Sequence, residues 1–407
     1  MKRKKIVFYF YNRLLDPLLQ SNIFLYIHNL ATENRYEIAI ITYEDPQHPL
    51  SSSEQASIHE KFKAQHIVWH PLVWHRGTSI KLKIQDLISG FFLLFKLRLQ
   101  GYRHLVSLGS LAGSFAYVAC VLLRVKLFLY QYEPHSEYAV DNGIWLPGSR
   151  QFKLLHSLEK RSALFSTIIS TGTQHMLRRL ESWNVKAALY KIPSVANDSL
   201  FVFSATKREE VRQSLRIPSS SKVIVYAGKF GGLYFAQELI QVFSLIQNRI
   251  PDTFFLLVTT QETEALLNWC NTYQMDPLRY RITSAVYSEM PGILSACDLG
   301  IVSVRPGQSS VFRSNIKVGE YLCTGLPYLV CEGVSEDDLY AKKDHVGVVV
   351  ADFTPEALNK VLPEIETFLS EDLKTRISRC RKTGMEYRGL SWLNPVFGKA
   401  IAELVGN

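Results

Sequence analysis

Short apolar runs of strand length recur along the whole chain, each followed by a stretch with helical spacing. In the first half they cover Lys5–Tyr11, Tyr36–Thr42, Gln65–Trp69, His104–Leu108, Leu127–Tyr132, Ser166–Ser170 and Ala188–Ile192. In the second half they cover Val223–Ala227, Phe254–Thr259, Tyr280–Val286, Leu299–Val304, Tyr328–Cys331 and Val346–Val350. Strands alternating with helices predict parallel sheets covered on both faces, an α/β fold. At 407 residues the chain exceeds one ordinary core, so more than one domain is expected. The hinge is expected at Pro193–Leu200, followed by a polar stretch at Ser204–Ser221. In open sheets of this kind ligands sit beyond the carboxyl ends of the strands, so two Rossmann-like domains are expected to face a central cleft.

Two second-half segments carry the chemistry. The first is SSVFRSNIKVGEYLCTGLPYLV, Ser309 to Val330. Lys317 and Glu320 stand one helical turn apart and share a face. Ser314 or Asn315 is placed to cap this helix, Gly325 to take the left-handed position after it, and Pro327 to prevent its continuation into the next strand. A helix start with a lysine beside it is a natural anion site; an i,i+3 surface ion pair worth about 0.2–0.5 kcal/mol describes the same two residues. The second segment, KVIVYAGKFGGLYFAQELIQVFSLI from Lys222, reads as strand, glycine loop and helix. Gly228, Gly231 and Gly232 let backbone approach a diphosphate, the helix start supplies N–H groups, and Lys229 adds a full charge. The spacing is neither that of a dinucleotide-binding loop nor that of a Walker loop.

With YAGK at Tyr226–Lys229 and SNIKVGEYLCTGLP at Ser314–Pro327, the chain resembles the GT-B glycosyltransferases, in particular the retaining group called family four. DPLLQSNIFLYIHNLA near the start and KIPSVANDSLF from Lys191 are shorter likenesses to the first loop and to the interdomain linker of such enzymes. The resemblance implies an N-terminal acceptor-side domain at 1–195, a nucleotide-sugar-binding domain at 196–375, and C-terminal helices at 376–407 that cross back to the first domain. It implies a nucleotide-diphosphate sugar as donor substrate, with no cofactor. It also implies that Lys229 contacts the diphosphate, that Lys317 assists there, and that Glu320 hydrogen-bonds the ribose hydroxyls. Two positions depart from the family pattern. Phe312 stands where a further glutamate is usual, and Leu233, Tyr234 and Phe235 occupy the stretch that usually supplies a second loop lysine. Arg313 or Lys317 can replace that charge.

The first half offers one compact polar group, YQYEPHSEYAVDNG, directly after an expected strand. Glu133, His135 and Glu137 are expected in a loop shaped by Pro134, where His135 or Glu133 can take or orient an acceptor hydroxyl's proton. Glu137, Gln20 and Ser21 are further acceptor-side candidates. No Asp-x-Asp pair or metal-ligand cluster appears, so diphosphate neutralisation by Lys229, Lys317 and Arg313 without a metal is expected.

Net charge is +9, which suits an anionic partner. No nucleic-acid-binding motif accompanies it. Ile80 to Arg103 mixes Lys81, Lys83, Lys96, Arg98 and Arg103 with Phe91, Phe92 and Phe95. This segment suits either an anionic membrane surface near a lipid-linked acceptor or a Rossmann helix with a solvated basic face. The uncharged run Leu105–Leu123 is near spanning length, but its small residues fit a strand and a closely packed helix equally well. The basic start is expected to be a first strand and no signal peptide. Cys120, Cys270, Cys297, Cys323, Cys331 and Cys380 occur singly and are expected to be buried thiols of a reducing compartment.

The functional expectation is a glycosyltransferase that moves a sugar to a hydroxyl of a glycan or lipid-linked acceptor. By family likeness its setting is bacterial surface polysaccharide biosynthesis, in the cytoplasm at the inner face of the cell membrane. The alternatives are a non-catalytic nucleotide-sugar or glycan-binding partner and a GT-B-type nucleotide-sugar epimerase.

Overall fold

The computed structural model describes residues 3–77 and 79–406. The chain forms two compact units. One comprises Met1–Pro193 and Leu393–Asn407, the other Ser194–Trp392. Every expected strand is present. In the first unit they are β1 (Lys4–Tyr9), β2 (Tyr36–Glu44), β3 (Ile67–Val73), β4 (His104–Leu108), β5 (Lys126–Gln131), β6 (Ile168–Thr171) and β7 (Ala188–Lys191). In the second they are β8 (Lys222–Ala227), β9 (Thr253–Val258), β10 (Tyr280–Thr283), β11 (Leu299–Val302), β12 (Tyr328–Cys331) and β13 (Gly347–Val350).

The first sheet has the order β3-β2-β1-β4-β5-β6-β7 and the second the order β10-β9-β8-β11-β12-β13. All pairings are parallel, with Ile6 opposite Ile38 in one sheet and Val225 opposite Leu256 in the other. The chain winds outward in one direction from β1, then returns to place β4 on its other side; β8 and β11 repeat this. Each sheet therefore has one point where the strand order reverses, and the carboxyl ends there open a crevice for ligands. The central strands are apolar on both faces because helices cover both: Val223, Ile224, Val225 and Tyr226 of β8 are fully buried.

The run Leu105–Leu123 resolves into β4 and the helix Ser110–Leu123, separated by Gly109. A Cβ on Gly113 would lie 2.6 Å from Leu129 Cδ2, so the small residues serve close helix-to-strand packing. Among the described residues no helix is long and apolar enough to cross a membrane. All six cysteines are buried free thiols.

The return to the first unit comes at 392/393 rather than at 376. The helix Leu373–Arg388 stays with the second unit because it packs tightly on Ile316–Thr324: a Cβ on Gly384 would meet Cys323 N at 2.8 Å, and one on Gly325 would meet Ile377 at 2.9 Å. The helix Leu390–Val405 belongs to the first unit from Leu393 onward. There Phe397 stacks on Tyr26 with 4.5 Å between ring centroids, and Tyr190 Oη donates to Glu403 at 2.5 Å.

Candidate functional site

In the second unit the glycine loop leaves β8 at the reversal point, beside the end of β11. Gly231 and Gly232 have φ of 85° and 63°, values that favour glycine. The loop is held in shape from several sides. Phe230 N–H donates to Gln261 Oε1 at 2.6 Å, Tyr226 Oη donates to the Lys229 carbonyl, Phe235 N–H donates to Ser303 O at 2.8 Å, and Arg305 N–H donates to Leu233 O at 2.8 Å. Lys229 is exposed at its tip.

Lys317 reaches this loop from the first turn of the helix Ile316–Thr324. A Cβ on Gly228 would lie 2.9 Å from Lys317 Cε and 3.0 Å from its Nζ, so glycine at 228 makes room for the amine. Lys317 Nζ also lies 5.1 Å from the Tyr234 ring centroid, a cation–π contact. Tyr234, one of the residues standing where a second lysine is usual, thus steadies the cation that remains. Arg305 lies 4.6 Å over the Phe235 ring and pairs with Glu238 at 2.9 Å. This loop cation follows β11 directly, a position that could have flagged it, but no motif marks it in the sequence. Arg313 is buried and donates to Ser309 Oγ.

Asn315 occupies the N-cap position, but its side chain does not cap. It donates to Asp337 Oδ2 at 2.7 Å instead. Ser314 Oγ accepts from Ser194 N–H at 2.8 Å and from Arg388. The start of the helix is therefore free of a side-chain oxygen cap. At the other end Gly325 takes the left-handed conformation expected of it, φ 84°.

Glu320 is not half of a surface ion pair. Its residue is 9% exposed, and among the described residues no hydrogen bond or ion pair closes on its carboxylate. Burial pushes its pKa up to about 7, with Lys317 opposing. Nearby, burial and then the Glu320 charge push the Tyr287 hydroxyl above its ordinary range. A buried, unpartnered carboxylate one turn from a lysine that reaches the glycine loop suits a ligand that brings hydroxyl donors and an anion together.

In the first unit, the expected loop after β5 is a short helix, His135–Asp141, which Pro134 opens. His135 Nδ1 lies 3.8 Å from Glu133 Oε1, and its ring stacks on Tyr138. Glu137 is committed to Arg179 at 2.9 Å. Gln20 and Ser21 lie in a π-helical turn, Leu19–Ile23, and serve local backbone: Gln20 Nε2 donates to Leu14 O at 2.8 Å and Ser21 Oγ to Pro17 O at 2.7 Å.

A tighter constellation, which sequence reading missed, follows β1 and β3 at the same sheet end. His75 Nδ1 lies 2.5 Å from Oδ1 of Asp86, whose side chain is fully buried. Tyr11 Oη donates to the other carboxylate oxygen. Lys83 Nζ stands 3.6 Å from Asp86 and donates to Tyr11 Oη at 2.9 Å and to His75 O at 2.8 Å. Burial lowers the Lys83 pKa, Asp86 opposing, and burial with the Asp86 bond raises that of Tyr11. An Nδ1 proton on His75 satisfies Asp86 and leaves Nε2 as the ring's acceptor. The signal available in the sequence is that Asp86 is the one acidic residue in the basic segment Ile80–Arg103.

No protein-family pattern matches the chain, and no curated protein matches it in sequence. Solved structures do match over its whole length. The sucrose-phosphate synthase of Thermosynechococcus elongatus superposes with a TM-score of 0.72 at 14% identity, covering 99% of this chain and 100% of that one. Anabaena HepE in complex with UDP gives 0.71 at 12%, covering 98% and 100%. WaaG, a glycosyltransferase involved in lipopolysaccharide biosynthesis, gives 0.67 at 12%, covering 99% and 100%. The fold is thus GT-B, as the C-terminal motifs imply.

Proposed function

We propose that this chain is a glycosyltransferase that takes a nucleotide-diphosphate sugar as donor and passes the sugar to a hydroxyl of a glycan or lipid-linked acceptor. The observation that carries the reading is the unpartnered, buried Glu320 one turn from Lys317, whose amine reaches the glycine loop at the reversal point of the sheet. The ribose hydroxyls donate to Glu320, and the diphosphate lies on the loop N–H groups with Lys229, Lys317 and Arg313 neutralising its charge. No metal is required in this scheme. The presence of UDP in the Anabaena relative supports a nucleoside diphosphate as the bound group. The likeness to WaaG, a glycosyltransferase involved in lipopolysaccharide biosynthesis, supports a surface-polysaccharide setting.

On the acceptor side His75 is the stronger candidate than His135, because its carboxylate partner is closer and fully buried. The acceptor hydroxyl donates to His75 Nε2, which holds and orients its oxygen. The test is incorporation of label from radioactive UDP- and GDP-sugars into lipid-extractable product in membranes of the source organism. His75→Gln is expected to lower the turnover about 10²-fold, with nucleotide affinity unchanged. Equal turnover in His75→Gln, with a loss in His135→Gln, would move the acceptor site to the helix after β5.

A further inference from the structure

The helix Ile80–Leu99 is apolar on two opposite faces. Gly90, Leu94 and Leu97, with Asp86, are buried against the first unit. Ile84, Ile88, Phe92, Phe95 and Leu99 are exposed, Phe92 by 64% and Leu99 by 73%. At 100° per residue the exposed five fall within about 80° of one another, on the side away from the buried face. Packing in this unit therefore does not explain them. The apolar surface continues past the helix end. Arg98 Nε donates to the Leu123 carbonyl at 3.0 Å, tying in the neighbouring helix, where Val121 and Leu122 are exposed. Tyr117 of that helix meets Phe165, at the end of Arg150–Phe165, with ring centroids 5.5 Å apart, and Phe165 and Leu164 are exposed in turn.

The charge around this surface has one sign. From Leu87 to Tyr132 the sequence contains no Asp or Glu, while Lys96, Arg103, Arg124 and Lys126 are exposed there. Lys96 and Arg98 flank the stripe on its two sides. A second copy of the same surface would set cation against cation, whereas an anionic lipid surface complements both the apolar stripe and its basic borders. We infer that this face, centred on Phe92 and Phe95, lies in the headgroup region of an anionic membrane and holds the first unit there. The inference is independent of the donor site, since it needs neither nucleotide nor acceptor.

Flotation of the full chain with lipid vesicles tests it. The wild-type protein is expected to float with phosphatidylcholine vesicles containing about one-third phosphatidylglycerol, and to do so less at high salt or with phosphatidylcholine alone. Phe92→Asp combined with Phe95→Asp is expected to lower the bound fraction at least about tenfold with an unchanged melting temperature, because both side chains are exposed. Leu99→Asp provides a second, single-site version should the double variant fold poorly. Lys96→Glu with Arg103→Glu is expected to remove the preference for anionic vesicles. Wild-type protein that stays unbound at low salt, or Asp variants that float like wild type, would overturn the inference. So would a dimer in light scattering that these Asp variants dissociate, which would assign the face to a second copy of the chain.

Discussion

Glu320→Gln is expected to melt at a higher temperature than the wild type above pH 7 and, at the same pH, to bind nucleoside diphosphates about 10- to 100-fold more weakly. Both effects come from one carboxylate. Its pKa is raised by burial from 4.5 to about 7 in the folded protein. The folded state therefore holds this proton more tightly than the unfolded chain between those values. Stability is undiminished below pH 4.5, falls as pH rises toward 7, and carries the full cost above it. A shift of this size corresponds to about 3 kcal/mol. Glutamine removes the charge that is costly to bury, so the stability curve of the variant loses this pH dependence. It also removes the charged acceptor that the ribose hydroxyls require. Thermal melts across pH 5 to 8 with calorimetric titration read both quantities; a variant that melts lower at pH 8, or binds as tightly as wild type, contradicts the assignment.

Asp298→Ala is expected to destabilise the second unit by about 3–5 kcal/mol. Asp298 is 3% exposed and gathers Arg208 Nη2 at 2.8 Å, Arg212 Nη2 at 2.9 Å, Arg376 Nη1 at 3.1 Å and the Val223 N–H at 2.8 Å. It thus joins β8, the entry to β11 and two helices, Ala205–Ser214 and Leu373–Arg388, around one oxygen pair. Truncation leaves guanidinium groups buried with no carboxylate to face, which is why the loss exceeds that of a surface pair. Burial alone would raise the Asp298 pKa, but Arg376, Arg208, the Val223 N–H and Arg212 together hold it low. Its contribution is therefore present above about pH 4 and is lost as pH falls through the depressed value. Urea melts at pH 7 and at pH 3 check this: the difference between wild type and variant is expected to be large at pH 7 and to shrink toward pH 3. An Asp298→Ala protein as stable as wild type at pH 7 would show that the three arginines find other partners.

The sheets were legible because their central strands are buried on both sides and so read as unbroken apolar runs between polar turns. The cap of the key helix was less so. Asn315 and Ser314 are good capping residues by type, but Asp337 and Arg388, far along the sequence, take their side chains, and local pattern cannot register such competition. The donor-side residues stood out because Lys317, Glu320 and the glycines lie close together in two segments. Spacing alone left Glu320 open between a surface partner of Lys317 and a ligand group, since it does not tell which side of a helix is buried. His75, Asp86, Tyr11 and Lys83 were missed for the opposite reason: they come from three elements, and only folding brings them to one carboxylate. The helix Ile80–Leu99 showed its basic and aromatic character in the sequence, but its two apolar faces became distinguishable only once one of them was covered.

The central claim is that the second unit binds a nucleotide-diphosphate sugar at the glycine loop, and calorimetric titration with UDP, GDP and ADP, without added metal, tests it most directly. Selective binding of one of them, weakened at least about tenfold by Lys317→Ala and restored in part by Lys317→Arg, is the predicted result. No heat with any of the three, or binding that Lys317→Ala leaves untouched, would contradict it.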